Sequence, residues 1–274
     1  MSIQLNGPLL LAGAGNMGYA LLTGWLEQGL DPARVIVQDP APTPRIQQKL
    51  DWHGIEVRAE VRSLPEPPAV ILVAVKPQVM DQVFPQLGQL ARKETVVLSV
   101  AAGRRIDGFE ASLASGTAVV RAMPNTPASV GRGITVAVGN THVTPQQRDI
   151  CDQLLRAVGE VAWVDDEGLM DAVTAVSGSG PAYVFYLAEC LAKAGADAGL
   201  PPDLAEQLAC WTVAGAGELL HLSDLNPTLL RQNVTSPNGT TFAALQVLMG
   251  EDGLARLMRD TVQAAARRSR ELAT

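Results

Sequence analysis

The chain is poor in the side chains that carry most acid–base and metal chemistry. It has three histidines and three cysteines among 274 residues. His53, His142 and His221 lie far apart and show no ligand spacing, which argues against a metal site. Cys151, Cys190 and Cys210 are odd in number and form no CxxC, so they read as small buried residues in a reducing cytoplasm. Basic charge is not in excess either. A formal net charge of −7 argues against a nucleic-acid or acidic-membrane partner. The N-terminus, MSIQLNGPLLLAGAG, lacks a basic n-region, so no targeting segment is expected. The most apolar long stretch, 172–200, is interrupted by Glu189, Lys193 and Asp197 and does not read as a membrane span. Tandem repeats and low-complexity tracts are also absent.

What is present is enough apolar sequence, 47%, for a sizeable core and length for two domains. Up to residue 165, β-branched apolar runs (8–12, 34–38, 69–75, 95–100, 118–122, 134–138, 161–164) alternate with helical patterns (16–28, 44–53, 77–90, 106–113, 145–158). Most of the runs are apolar on both faces, as in a buried parallel sheet. This predicts a doubly wound α/β domain over 1–165. Beyond it the β-branched runs stop. Helices are expected at 169–176, 181–198, 202–221, 227–233, 240–249 and 253–272, forming an all-helical domain over 166–274. Ala205, Ala209, Ala214, Gly215, Ala216 and Gly217 allow close helix approach, and a helical domain this apolar is expected to bury a face against a partner subunit.

The first run leads into Gly13-Ala14-Gly15-Asn16-Met17-Gly18, a strand followed by GxGxxG and a helix. Gly13 permits the tight turn, Gly15 lets backbone approach a pyrophosphate, and Gly18 lets helix pack on strand. Asp39 ends the second strand, where an acid bonds a ribose 2′-hydroxyl and repels a 2′-phosphate. That leans to NADH. Arg45 stands close enough in sequence to neutralise a 2′-phosphate, so NADPH stays open. Ala74-Val75-Lys76-Pro77 and Val100-Ala101-Ala102 end later strands, at the carboxyl edge where such sheets bind ligands. Lys76 is a candidate for the cofactor ribose or the substrate, or a solvated helix-start lysine. Asn125, in the proline-constrained 121–127 segment, fixes a loop against the nicotinamide or is a structural turn residue.

The stretch VTSPNGTT, 234–241, contains no group that titrates near neutral pH. It breaks one helix and starts the next. Free N–H groups at that start, with the hydroxyls of Ser236 and Thr241, would form a small anion cradle. The plainer reading is a helix cap.

Taken in order, GAGNMG, VAVKPQ, SVAAG, RAMPNTPASVG, DAVTAVSGSGPAY and LRQNVTSPNGTT resemble the pyrroline-5-carboxylate reductase family along essentially the whole chain. The resemblance implies reduction of L-1-pyrroline-5-carboxylate to L-proline with NADH or NADPH. It also implies a Rossmann-like first domain, a helical dimerisation domain, and a homodimer that can assemble further. By position it puts cofactor contacts on Gly13 to Gly18, Ala74 to Pro77 and Val100 to Ala102, with Asn233 as a further cofactor or substrate contact. Substrate contacts fall on Glu167, Ser236, Gly239, Thr240 and Thr241, and Lys76 remains a further candidate. Thr241 and Glu167 are the catalytic candidates: the first could reach the ring nitrogen, the second could stabilise iminium charge or simply complement a helix dipole. Where the family usually reads SPGG, this chain has Asn238, which tolerates positive φ better than other non-glycine residues. A hydroxy-acid dehydrogenase of similar layout is the alternative. It would need a lysine or histidine as proton carrier, and the helical domain's candidates are Lys193 and His221.

Overall fold

The computed structural model describes residues 3–273. Eight strands form one sheet: β1 (Leu9–Ala12), β2 (Val35–Gln38), β3 (Glu56–Arg58), β4 (Val70–Val73), β5 (Val96–Ser99), β6 (Ala118–Met123), β7 (Gly133–Gly139) and β8 (Gly159–Trp163). Their order is β3-β2-β1-β4-β5-β6-β7-β8, parallel throughout except where β7 runs antiparallel to β6. Strand order reverses at β1, between β2 and β4, which opens a crevice at the carboxyl ends of β1 and β4.

Both faces of the sheet are covered, which is why β1, β4 and β5 are buried at every position. Alternate residues serve opposite faces. Leu9, Leu11, Leu72 and Leu98 pack with Trp25 of α1 (Asn16–Glu27), Leu50 of α2 (Pro44–Trp52) and Leu154 of α5 (Pro145–Arg156). The Trp25 indole N–H finds its required acceptor in the Leu154 carbonyl, 2.7 Å away. On the other face Leu10, Ile71 and Val97 pack with Phe84 of α3 (Pro77–Gly88) and Phe109 of α4 (Ile106–Glu110).

The expected doubly wound sheet followed by helices is the observed architecture. Two details escape the sequence pattern. β3 is a three-residue edge strand, mostly polar, with Arg58 paired to Glu56, so it carries no apolar alternation. The segment expected as one helix over 169–176 is divided into a 3-10 turn (Glu167–Leu169), α6 (Met170–Val173) and a π turn (Thr174–Gly178). Thr174 Oγ1 donates back to the Met170 carbonyl, 2.8 Å away, which competes with the regular ladder. At Gly178 a Cβ would stand 2.5 Å from Met123 Cε, so a larger residue there would have to displace the end of that side chain.

The chain divides into two compact units, residues 3–178 with 266–273, and Ser179–Ala265. The division falls later than the 165/166 boundary expected from element order, because Met170 joins the second core cluster of the sheet. The second unit holds α7 (Gly180–Asp197), α8 (Pro202–Leu222), α9 (Pro227–Asn233), α10 (Thr240–Leu248) and the first part of α11 (Leu254–Leu272). α7 and α8 meet through small residues: Ala205 and Ala209 are buried, and Gly195 lies against Ala205. The last turns of α11 belong to the first unit, where Ser269 Oγ donates to Asp171 Oδ1 at 2.6 Å. Among the described residues no helix is long and apolar enough to cross a membrane.

Candidate active site

Three of the candidate stretches lead into helix N-termini. A helix leaves its first N–H groups without intrahelical acceptors. In α2, α5 and α9 the side chains of Thr43, Thr144 and Asn226 fill that role. In α1, α3 and α10 no side chain does, and the same holds at the starts of α7 and α8. Of these bare ends, those of α1, α3 and α10 follow the glycine loop, the Ala74–Lys76 strip and the Ser236–Gly239 turn.

In the first unit, Gly13 takes φ +93° and stands against the backbone of Ala74, where a Cβ would come within 2.8 Å of a carbonyl oxygen. A Cβ on Gly18 would lie 2.1 Å from the Gly13 carbonyl oxygen. Both glycines are therefore demanded by close packing. Gly15 differs: its Cβ position meets nothing within 4 Å, so open space lies in front of the loop. The first intrahelical bond of α1 runs from Tyr19 N–H to the Gly15 carbonyl. Asn16, Met17 and Gly18 N–H are left facing outward, where the helix dipole favours an anion. This loop suits a pyrophosphate. A groove of about 980 Å³ runs on from it, lined by Asn16, Met17, Arg45, Thr126, Ser129 and Gly131.

Asp39 ends β2 beside the loop. Its Oδ2 accepts the Ala14 N–H at 2.8 Å and its Oδ1 accepts the Ala41 N–H at 2.9 Å. Lys76 is the N-cap residue of α3 and is exposed, with no hydrogen bond or ion pair to its ammonium among the described residues. Val100 and Ala101 are buried and Ala102 is exposed at the rim. A cavity of about 250 Å³ adjoins the second and third strips, lined by Pro77, Ala102, Gly103, Arg104, Thr174 and Ser269. Asn125 Oδ1 accepts the Ile134 N–H at 2.9 Å, so this side chain holds the 125–134 loop.

Glu167 is engaged by three groups. Its Oε1 accepts from Arg121 Nη1 at 2.8 Å and from the Ile106 N–H at 2.9 Å, and Arg105 Nη2 lies 3.8 Å from Oε2. It thereby caps α4 and neutralises Arg121, which is buried in β6. Sequence reasoning missed Arg121. Its signal was one charged residue inside the apolar run AVVRAM, which required a buried partner. Ser177 was missed as well. Its Oγ is buried without a hydrogen-bond partner in the π turn.

In the second unit, the 234–241 stretch forms the turn between α9 and α10. Asn238 takes φ +59° in place of the first glycine of the family's SPGG, and Gly239 keeps the second. Gly239 is the N-cap of α10, so neither Thr240 nor Thr241 caps it. The first intrahelical bond runs from Ala243 N–H to the Gly239 carbonyl, which leaves the N–H groups of Thr240, Thr241 and Phe242 without one. Ser236 Oγ lies on the inner side of the turn, 2.4 Å from where a Gly239 Cβ would stand. Thr240 is exposed, Thr241 half-buried, and Asn233 is the last residue of α9. Free N–H groups and the Ser236 hydroxyl lie at this turn, with no acidic residue in 234–241.

Residues 167–272 match the family profile described as pyrroline-5-carboxylate reductase dimerisation, and residues 9–103 match that described as NADP oxidoreductase, coenzyme F420-dependent. The pyrroline-5-carboxylate reductase of Pseudomonas aeruginosa is 39% identical over 95% of both chains. The structure of a pyrroline-5-carboxylate reductase from Coxiella burnetii superposes with TM-score 0.90 at 33% identity, covering 98% of this chain and 99% of that one. That of the Plasmodium falciparum enzyme, solved with NADP bound, gives 0.82 at 26% identity, covering 99% and 100%. With this identity held over nearly the full length of both chains, the chain belongs to the pyrroline-5-carboxylate reductase family.

Proposed function

We propose that the chain reduces L-1-pyrroline-5-carboxylate to L-proline with NAD(P)H, the last step of proline biosynthesis, as a homodimer. The observation that carries this reading is the uncapped start of α10, with free N–H groups and the Ser236 hydroxyl beside it. Substrate and product each present one carboxylate, and a carboxylate accepts several charge-assisted bonds at once. Ser236, Gly239, Thr240 and Thr241 hold it. NAD(P)H supplies the hydride for the imine carbon. The protein's task is to orient the ring and exclude water. A protonated imine needs no strong acid from the protein, which fits a site built from hydroxyls and amides. Thr241 is the hydroxyl that reaches the ring nitrogen in this reading. Glu167, already bonded to Arg121 and the α4 N-terminus, serves to position the 101–106 segment.

Residues 1–165 carry the cofactor, through Gly13 to Gly18, Ala74 to Pro77 and Val100 to Ala102, and 166–274 carry substrate binding and dimerisation. Asn125 acts through its loop, and Asn233 is a further cofactor contact. Asp39 favours NADH over NADPH, since a 2′-phosphate would meet its negative charge. The free cysteines suit a reducing cytoplasm, and the dimers can associate further. The hydroxy-acid dehydrogenase alternative gains no support: Lys193 is exposed and paired with Asp197, and His221 lies in the exposed last turn of α8.

The test is mixing the protein with pyrroline-5-carboxylate and each reduced dinucleotide in turn. The near-ultraviolet absorbance of the nicotinamide falls, faster with NADH. Absence of decay with both cofactors overturns the activity; a strong preference for NADPH overturns the reading of Asp39 alone.

A further inference from the structure

We propose that Asp39 is the positioning residue of the dinucleotide loop as well as its ribose discriminator, so that the pyrophosphate and ribose subsites are coupled through one carboxylate. The inference rests on the cofactor reading above. The loop between β1 and α1 is held from three sides. Gly13 N–H donates to the Gln38 carbonyl at 2.9 Å. Ala74 closes off the back of Gly13. Ala14 N–H donates to Asp39 Oδ2 at 2.8 Å. Asp39 is itself fixed: its own N–H donates to the Arg58 carbonyl of β3 at 3.0 Å, and Oδ1 accepts the Ala41 N–H at 2.9 Å.

Two consequences follow from this arrangement. The Ala14 N–H is directed at the carboxylate, so phosphate binding falls to the first turn of α1. The carboxylate also cannot swing away from a 2′-phosphate without releasing the loop. Each oxygen keeps a lone pair for a ribose hydroxyl, so the brace and the ribose contact coexist. A serine in its place offers one short oxygen and cannot span both N–H groups. Asp39→Ser therefore removes the repulsion and loosens the pyrophosphate subsite together. Exchange of cofactor preference requires a second change that restores the brace.

The test compares dimeric wild type, Asp39→Ser and Asp39→Asn by calorimetric titration with ADP and with 2′,3′-dideoxy-ADP, which has no ribose hydroxyl to contact. Amide exchange at Ala14 is followed in the ligand-free proteins. Expected are a loss of about tenfold in dideoxy-ADP affinity for Asp39→Ser, the scale of one hydrogen bond to a charged group, and faster exchange at Ala14. Asp39→Asn, which keeps one neutral acceptor oxygen at the reach of Oδ2, recovers part of both. If the Asp39→Ser loss is confined to ADP, or Ala14 is unprotected in wild type, the brace is overturned. Wild type that binds neither nucleotide overturns the cofactor reading itself, a different outcome.

Discussion

The two compact units use apolar sequence in opposite ways. In the first, the central strands are wholly buried and the sheet is covered on both faces. In the second, α7, α9 and α10 contain no buried side chain, and Phe185, Tyr186, Trp211 and Val247 are 68%, 64%, 73% and 76% exposed. Burying one such side chain is worth about 1.5–3 kcal/mol. The first unit therefore completes its own core, whereas the second leaves apolar helix faces uncovered in the region that matches a dimerisation profile. Phe185→Asp breaks the second kind. A charge there should cost about 4 kcal/mol of association, within the range of interface hot spots. Sedimentation should show the monomer mass, with activity lost. A fully active dimer would remove Phe185 from the interface.

Arg121→Met sharpens the contrast from the other side. It leaves the Glu167 carboxylate without its closest cation and should lower stability by about 3 kcal/mol. Sedimentation should still give the dimer, because the damage lies within the self-sufficient unit. Denaturant unfolding of Arg121→Met, Glu167→Gln and the double variant should return a coupling energy well above the scatter of additivity. Additive single effects would count against the pair.

The same contrast explains what could be read in the sequence. β1, β4 and β5 were legible because strands buried on both faces read as unbroken apolar runs. Thr144-Pro145 announced its helix, and Thr144 and Gln147 form a capping box there. β3 was not legible, since a short polar edge strand follows its neighbour's free edge and not its own pattern. The glycine loop and the 234–241 turn were visible as motifs. The partners of Asp39 and Glu167 were not, because Ala14 and Ile106 contribute backbone N–H groups, which every residue type offers. In the second unit exposure could not be read at all: an apolar helix face looks the same whether it meets its own chain or another.

Thr241→Ala sharpens the comparison at the level of chemistry, since this side chain caps nothing. If it holds substrate, kcat/KM should fall by roughly 10–100-fold, about 2 kcal/mol. Thermal stability should stay close to wild type, unlike the loss of about 1 kcal/mol when a capping threonine such as Thr144 is replaced. Equal losses in stability for Thr241→Ala and Thr144→Ala, with kinetics intact, would return the 234–241 turn to an architectural role.

The cysteines divide along the same line, with the smallest effect. Cys151 lies fully buried on α5, whereas Cys190 and Cys210 are exposed on α7 and α8. Burial, with a lesser contribution from the charge of Asp152, pushes the Cys151 thiol well above its ordinary value of 9.0. The unfolded chain ionises that thiol near its ordinary value, while the folded chain keeps the proton. The contribution to stability is therefore complete below about pH 9 and declines above it, by about 1.4 kcal/mol per pH unit at most. Cys151→Ala forfeits packing at neutral pH but has no such decline. Its deficit relative to wild type, measured by denaturant unfolding, should shrink by about 1.4 kcal/mol between pH 8 and pH 10. A deficit constant across that range would mean the thiol ionises within the folded core. A disulfide reagent should label Cys190 and Cys210 in the Phe185→Asp monomer and leave Cys151 untouched until the sheet unfolds.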